Sequence, residues 1–153
     1  MNSRYTYNQF RYDRSTGVHD WSDAGATYRM ILLDPDYVFD QTHHDVSDIS
    51  AHEVTGTGYT GGFGGSGRHA ITTRTVYQDD TNNRTILRAD SLSWSGIDVG
   101  PVGGAAVFFE PAGASSDGDC HLCFYYGLDN PDTSGGKTLD LTVDATEGMH
   151  QSL

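Results

Sequence analysis

The densest group of metal-binding residue types lies in the segment QTHHDVSDISAHE, residues 41–53. On a helix, His44, Asp48 and His52 would share one face, and two imidazoles with one carboxylate can hold zinc. The rest of the group consists of His43, Asp45 and Glu53. Helix-favouring residues are scarce in this segment. A polar surface loop is therefore the favoured interpretation, and a zinc site is the alternative.

Three aspartates in DPDYVFD, namely Asp34, Asp36 and Asp40, are spaced like part of a calcium-binding loop. Such a loop also needs a glycine at its sharp turn and a closing bidentate glutamate, and both are missing here. The spacing therefore predicts adventitious calcium binding at most.

The two cysteines of the chain, Cys120 and Cys123, form a single C-x-x-C pattern. A structural zinc site of this kind needs a second pair of ligands, and the chain has no further cysteine. In a strand the two side chains would point to opposite faces, which disfavours a disulfide between them. The pattern predicts two buried free thiols, as expected in a reducing compartment.

Patterns typical of nucleotide binding and hydrolysis are incomplete. The segment GTGYTG, residues 56–61, matches G-x-G-x-x-G, but glycines follow it where the dinucleotide motif needs a helix. Ser66 lies in GGSGR, which differs from the G-x-S-x-G nucleophile elbow, although a Ser/His/Asp triad assembled in space stays open. Asn83 begins a formal glycosylation acceptor. We therefore predict no catalytic residue, no cofactor and no metal ion.

Composition favours an all-β domain of acidic character. The chain has 153 residues with 19 glycines, and its formal net charge is −12. Strong helix formers are scarce, which is typical of β proteins. The negative charge disfavours nucleic acid as a partner, because phosphate contacts need lysine or arginine. No apolar run approaches the roughly 18 residues that cross a membrane, and the first residues do not look like a signal peptide.

The remaining segments are organised around residues 71–109, which we interpret as a hairpin followed by a buried strand. Aspartates and asparagines in residues 78–83 form the hairpin turn, and residues 102–109 are apolar on both faces. Further strands are expected at residues 27–33, 120–126 and 137–143, and a polar tail at residues 144–153. We predict a single-domain antiparallel β-sandwich or small barrel with long Gly-rich loops.

The predicted β domain spans residues 27–153, and residues 1–26 are expected to form an N-terminal arm and loop. Arginines alternate in this arm with the aromatic residues Tyr5, Tyr7, Phe10 and Tyr12. The aromatics either anchor the arm on an acidic neighbouring subunit or pack on the sheet of their own chain. In the first case, deletion of residues 1–14 should leave the β domain folded. The Gly-rich residues 56–67 are the candidate mobile or partner-ordered segment.

The order of these segments resembles a family of small tailed-bacteriophage virion proteins, the minor tail or head-associated structural proteins. The matching pieces are YNQFRYDRSTGVHDW, TYRMILLDPDYVFD, VSDIS before GTGYTGG, RTVYQDDTNNRTILRADSLSWSGI, GPVGGAAVFF and CHLCFYYGLDNPDTSGGKTLDLTV. They cover nearly the whole chain. The most specific piece is the DDTNNR turn, followed by AD and a strand that contains tryptophan. The two cysteines have no counterpart in this resemblance.

The resemblance implies a virion structural protein that assembles through protein–protein contacts and performs no catalysis. It would be a minor tail or tail-tip component, assembled in the host cytoplasm, with other virion proteins and copies of itself as partners and with neither nucleic acid nor membrane. A capsid decoration protein is the close alternative, and copy number per particle separates the two. A host-glycan-binding module is the second alternative, with Trp21, Trp94, Tyr59 and Phe63 stacking on sugars. A hydrolase that uses His43, His44 or His52 is the least favoured.

Overall fold

In residues 3–144 and 146–152, which the computed structural model describes, the chain forms one α-helix and a set of antiparallel strands. The elements are Ser3–Thr6 (β1), Asn8–Thr16 (α1), Thr27–Leu33 (β2), His69–Ala70 (β3), Thr75–Asp79 (β4), Arg84–Arg88 (β5), Leu92–Ile97 (β6), Gly104–Glu110 (β7), His121–Gly127 (β8), Lys137–Leu141 (β9) and His150–Ser152 (β10). Three short 3-10 turns lie at Val46–Asp48, Ser50–His52 and Asp117–Asp119.

The largest sheet has five strands in the order β1-β8-β7-β2-β3. Its central strand β7 is buried on both faces, as the apolar run at residues 102–109 predicted. Side chains of β7 alternate between two separate apolar cores, with Ala105 and Val107 in one and Ala106 and Phe108 in the other. β2 alternates in register with it, because Met30 lies opposite Val107 and belongs to the same core. Both faces of this sheet must therefore be covered.

Two smaller sheets cover the first face. They have the orders β10-β5-β4 and β6-β9. Leu87 of β5, Trp94 of β6 and Leu139 of β9 pack into the same core as Met30 and Phe124 of the large sheet. The sheets do not close into a barrel within the described residues, so the predicted all-β fold is confirmed in its sandwich form.

The second face is covered by loop and 3-10 turns rather than by a sheet. Tyr37, Val46 and Ile49 come from the segment after β2 and pack with Ile31 and Phe108. Val46 and Ile49 are fully buried. Val46 begins the first of two successive 3-10 turns, and Ile49 lies between them.

The hairpin β4–β5 lies at the edge of the sandwich, which corrects the expectation that the fold is built around it. β4 is the outermost strand of its sheet, and most of its residues are exposed. Val76 and Tyr77 are 48% and 50% exposed. The turn signals identified the hairpin correctly, but β4 has too little apolar content to be central. The buried strand β7, the other part of the segment 71–109, does lie at the centre of the large sheet, between β2 and β8.

The N-terminal segment is part of the sandwich. β1 pairs with β8 over Ser3–Thr6, and α1 packs on β8. Tyr7 is fully buried, and Phe10 packs edge-on against Phe124 at a centroid distance of 4.5 Å. Two of the four aromatics, Tyr7 and Phe10, thus follow the alternative in which they pack on their own chain, whereas Tyr5 and Tyr12 are 44% and 67% exposed. Deletion of residues 1–14 would remove an edge strand and two core aromatics, so we no longer expect the remainder to stay folded.

The C-terminal segment also contributes to the fold, although it was expected to be a polar tail. Met149 is buried, and His150–Ser152 pairs with β5. Residues 1 and 2 of the predicted N-terminal arm, and residues 145 and 153 of the predicted polar tail, lie outside the described part of the chain. Among the described residues, no helix has the length and apolar content needed to cross a membrane.

The substitution Phe10→Ala tests whether α1 belongs to the core. We expect it to lower the free energy of unfolding by about 3–5 kcal/mol, because it leaves a cavity against Phe124 and Trp21. Tyr12→Ala is the matched control, since Tyr12 lies on the same helix and is 67% exposed; its effect should stay within about 0.5 kcal/mol. Urea denaturation measures both. Equal stability of the two variants would contradict the packing.

Candidate functional site

Three side chains with metal-binding and acid–base chemistry converge at one end of the large sheet. They are Asp13, His19 and His121, and their nitrogen and oxygen ligand atoms all lie within 4.8 Å of one another. α1 presents Asp13 on its inner face, the loop after α1 returns His19, and His121 is the first residue of β8. We call these three residues the His–Asp–His cluster.

The carboxylate of Asp13 is the centre of the cluster. Its Oδ2 atom accepts hydrogen bonds from His19 Nε2 at 2.8 Å and from His121 Nδ1 at 2.7 Å. Its Oδ1 atom accepts one from Gln9 Nε2 at 2.9 Å. With its Nε2 proton donated to Asp13, His19 can accept at Nδ1 from the Tyr28 hydroxyl, which lies 3.2 Å away. Every polar atom named here thus has a partner of the right type.

Burial distinguishes the two imidazoles. The side chains of Asp13 and His19 are 2% and 1% exposed, whereas that of His121 is 27% exposed. The ring of Phe109 packs edge-on against His19 at 4.5 Å. Burial lowers the pKa of His19, and this effect exceeds the opposing effect of the hydrogen bond to Asp13. The cluster is therefore reached from solvent through His121.

None of these three residues was a predicted site residue. Asp13 and His19 are six positions apart, and His121 lies 108 positions from Asp13. One signal was available: Asp13 follows Phe10 by three positions, so a helix at residues 8–16 would place both on one face. A carboxylate on the apolar face of a helix needs buried partners.

The histidines that the sequence did select do not converge. His43 Nδ1 pairs with the Tyr37 hydroxyl at 3.1 Å, and His52 Nδ1 pairs with Asp34 at 3.1 Å. The Asp48 carboxylate accepts from the backbone N–H groups of His44 and Asp45. The local chain thus uses these groups to hold its own turns, as the surface-loop interpretation implied.

Two of the three aspartates of the incomplete calcium pattern, Asp34 and Asp40, are also engaged locally. Asp34 accepts from the backbone N–H groups of Asp36 and Tyr37. Asp40 accepts from the backbone N–H and the hydroxyl of Thr42. Each carboxylate closes a turn two or three residues long, which is the ordinary role of aspartate in loops.

Both cysteines are free and fully buried, as the sequence predicted. Cys120 belongs to the core under the loops, and Cys123 belongs to the core between the sheets. Burial raises the pKa of the Cys120 thiol to about 12 and that of Cys123 well above its usual value. Neither thiol is therefore set up as a nucleophile at neutral pH.

The Gly-rich residues 56–67 are tied to the sandwich by a buried ion cluster. The Arg68 guanidinium donates to Glu53 at 2.8 and 2.7 Å and to Asp117 at 3.0 Å. Glu53 also accepts from the backbone N–H of Gly62, inside the loop. At Gly67, a Cβ atom would come within 2.7 Å of the Tyr59 ring. The segment therefore has ordering contacts within its own chain, and no helix follows it.

Three of the four aromatics proposed for sugar stacking are buried. Trp21 and Trp94 donate their indole N–H groups to backbone carbonyls at 3.0 and 2.7 Å, and both serve the core. Tyr59 is 4% exposed, with its hydroxyl on Glu53. Only Phe63, which is 40% exposed, remains accessible among these four. Ser66 and Asn83 are exposed and lie in turns.

Comparison with models of known protein families, with curated proteins and with solved structures gave no match to this chain.

The lowered pKa of His19 predicts a pH-dependent stability, measured with EDTA present. Asp13, His121 and Tyr28 face the His19 ring. Unfolded His19 protonates near pH 6.5 and folded His19 only at lower pH, so the unfolded state binds more protons between the two values. The unfolding free energy should fall as pH falls through this window, by at most about 1.4 kcal/mol per pH unit. Burial lowers the pKa of His69 as well, in the same direction.

His19→Gln isolates the contribution of His19, because it removes one titrating group and leaves His69 in place. Urea denaturation at about pH 7.5 and about pH 5.5 should show a smaller loss of stability in the variant than in the unmodified protein. An identical pH dependence in both proteins would contradict the role given to His19.

The buried ion cluster predicts a large cost for removing its cation. Arg68→Met leaves the carboxylates of Glu53 and Asp117, 7% and 18% exposed, without their partner. We expect a loss of about 3–5 kcal/mol in unfolding free energy. Arg29→Met is the comparison variant, because Arg29 and its partner Glu110 are only partly buried, with side chains 33% and 22% exposed, whereas that of Arg68 is 2% exposed. Its cost should be smaller, about 0–1 kcal/mol. Urea denaturation measures the unfolding free energy of both variants. Equal losses in Arg68→Met and Arg29→Met would contradict the stabilising role given to the buried ion cluster.

Proposed function

We propose that this chain is a structural protein of a tailed-bacteriophage virion, a minor tail or tail-tip component that assembles through protein–protein contacts and performs no catalysis. The virion assignment rests on the sequence resemblance described above. The assembly role is supported by one surface feature, an exposed apolar patch beside an outermost strand.

The patch consists of Tyr5, Val38 and Phe39, and we call it the aromatic edge patch. Val38 is 80% exposed and Tyr5 is 44% exposed. Tyr5 stacks on Phe39 at a centroid distance of 4.8 Å, and Phe39 stacks on the buried Tyr125 at 5.6 Å. The exposed Tyr5 ring is therefore supported by the partly buried ring of Phe39 and, beneath it, by the buried ring of Tyr125. Rigid aromatics of this kind contribute strongly to protein interfaces because they lose little side-chain freedom on binding.

The position of the patch also suits assembly. Tyr5 lies on β1, the outermost strand of the large sheet. Outermost strands are natural docking sites for another chain, and soluble proteins commonly protect them with charge. On β4, the outermost strand of another sheet, Val76 and Tyr77 are about half exposed as well. A protein with exposed apolar side chains on two separate strand edges is suited to contact two neighbours, which include further copies of itself.

Other functions receive less support from the described surface. A glycan-binding module would rely on Phe63 alone among the four predicted stacking residues, because the other three are buried. A capsid decoration protein would use the same patch, so surface chemistry does not separate it from a tail protein. Electron microscopy of labelled particles separates them, since a tail protein is present in few copies and a decoration protein in many.

Val38→Asp tests the aromatic edge patch. Val38 is 80% exposed, so the charge should leave folding unchanged while it opposes burial against a partner. We expect at least about tenfold fewer copies per purified particle, which corresponds to about 1.4 kcal/mol of lost contact energy. Quantitative mass spectrometry of virions produced with the variant measures this.

Val18→Asp is the matched control for this experiment. Val18 is 48% exposed and lies in the loop after α1, away from the patch. Its variant should be incorporated at the normal stoichiometry. Normal incorporation of the Val38→Asp protein would overturn the assembly role given to the aromatic edge patch. Absence of the unmodified protein from particles would overturn the virion assignment.

A further inference from the structure

We propose that the His–Asp–His cluster binds a divalent transition-metal ion, with Zn²⁺ as the ion to test. The site would be held by Asp13, His19 and His121. It is independent of the aromatic edge patch and of the assembly role.

The donor set fits this class of ion. Two imidazole nitrogens and one carboxylate oxygen are the ligand types that Zn²⁺ and related borderline ions accept. All three ligand atoms lie within 4.8 Å of one another. At usual bond lengths, tetrahedral ligands of Zn²⁺ lie about 3.3 Å apart. The Asp13 oxygen now lies 2.8 and 2.7 Å from the two nitrogens, so these two contacts need to lengthen by roughly half an ångström to admit the ion.

The surrounding groups hold the ligands from behind, as in established metal sites. Metal-binding imidazoles usually direct their second nitrogen to a fixed partner, and ligating carboxylates are themselves hydrogen-bonded. His19 directs its second nitrogen to the Tyr28 hydroxyl, and the other carboxylate oxygen of Asp13, Oδ1, accepts from Gln9. These partners orient the His19 ring and the carboxylate before any ion arrives.

Proton positions can adjust without release of a proton. In the hydrogen-bonded cluster, His19 carries its proton on Nε2 and His121 carries its proton on Nδ1, both directed at Asp13. When these nitrogens bind the ion, each neutral imidazole takes its other tautomer. The His19 proton then lies on Nδ1 and is donated to the Tyr28 oxygen, while the His121 proton lies on Nε2.

The charge and access of the site also favour a cation. Neutral imidazoles leave the carboxylate of Asp13, 2% exposed, as the charged group among the three ligands. A divalent ion compensates this buried charge directly. The side chain of His121 is 27% exposed, so an ion can reach the cluster from solvent on the His121 side. Three protein ligands leave a fourth tetrahedral position, which water can fill on the solvent side.

Isothermal titration of the untagged, EDTA-treated and dialysed full chain with Zn²⁺ tests the site. We expect saturable binding of one ion per chain. His121→Gln removes the partly exposed ligand and should weaken binding by about tenfold or more, and His19→Gln should do the same. His52→Gln is the matched control, because His52 also pairs with one aspartate but lies outside the cluster; its affinity should equal that of the unmodified protein.

Two further measurements keep the test decisive. Near-UV circular dichroism shows which variants are folded, and His121→Gln decides the outcome if the more buried His19→Gln variant is unfolded. Absorption spectra of the Co²⁺-loaded protein should show the bands of a four-coordinate ion, and these should be lost in His121→Gln. Absence of saturable one-to-one binding, or equal affinity in His121→Gln and His52→Gln, would overturn the proposal and leave the cluster as a hydrogen-bonded network.

Discussion

The fold depends on one constraint, which is that its largest sheet is apolar on both faces. β7 and its neighbours β2 and β8 send side chains into two separate cores. A sheet of this kind is stable in water only if each face is covered. Smaller sheets cover one face, but the chain has a single short α-helix in its described residues and must cover the other with loops. Buried loops need internal partners for their polar groups.

Two polar clusters fasten irregular parts of the chain to the body of the protein. Arg68, held by Glu53 and Asp117, fastens the Gly-rich segment to the body of the protein. Asp13, with its two histidines, fastens α1 and the loop after it to the beginning of β8. Both clusters lie where irregular chain is packed against the sheet. The same residues therefore stabilise the fold and supply the candidate binding site, since a group that anchors a loop is also held in a fixed orientation.

The fold could be predicted where single segments carry their own signal. The apolar runs of β2, β7 and β8 and the alternation of β9 identified four strands, and the two cysteines were correctly expected to be buried on opposite faces. The hairpin β4–β5 was recognised, but it was wrongly placed at the centre of the fold. Turn residues indicate the local shape of the chain and do not show whether a strand lies in the middle or at the edge of a sheet. The cluster of Asp13, His19 and His121 was missed for a related reason. Its members are brought together by β8 and α1, and pairings between distant segments leave no local pattern.

The two thiols provide separate reporters for the two sides of the large sheet. Cys120 lies beneath the loop layer, whereas Cys123 lies between the sheets, and both are inaccessible in the folded protein. A thiol reagent can reach either one only when the layer above it detaches. Labelling rates of proteins that retain one cysteine at a time would therefore compare how often each layer opens, and would show whether the loops detach before the sandwich itself comes apart.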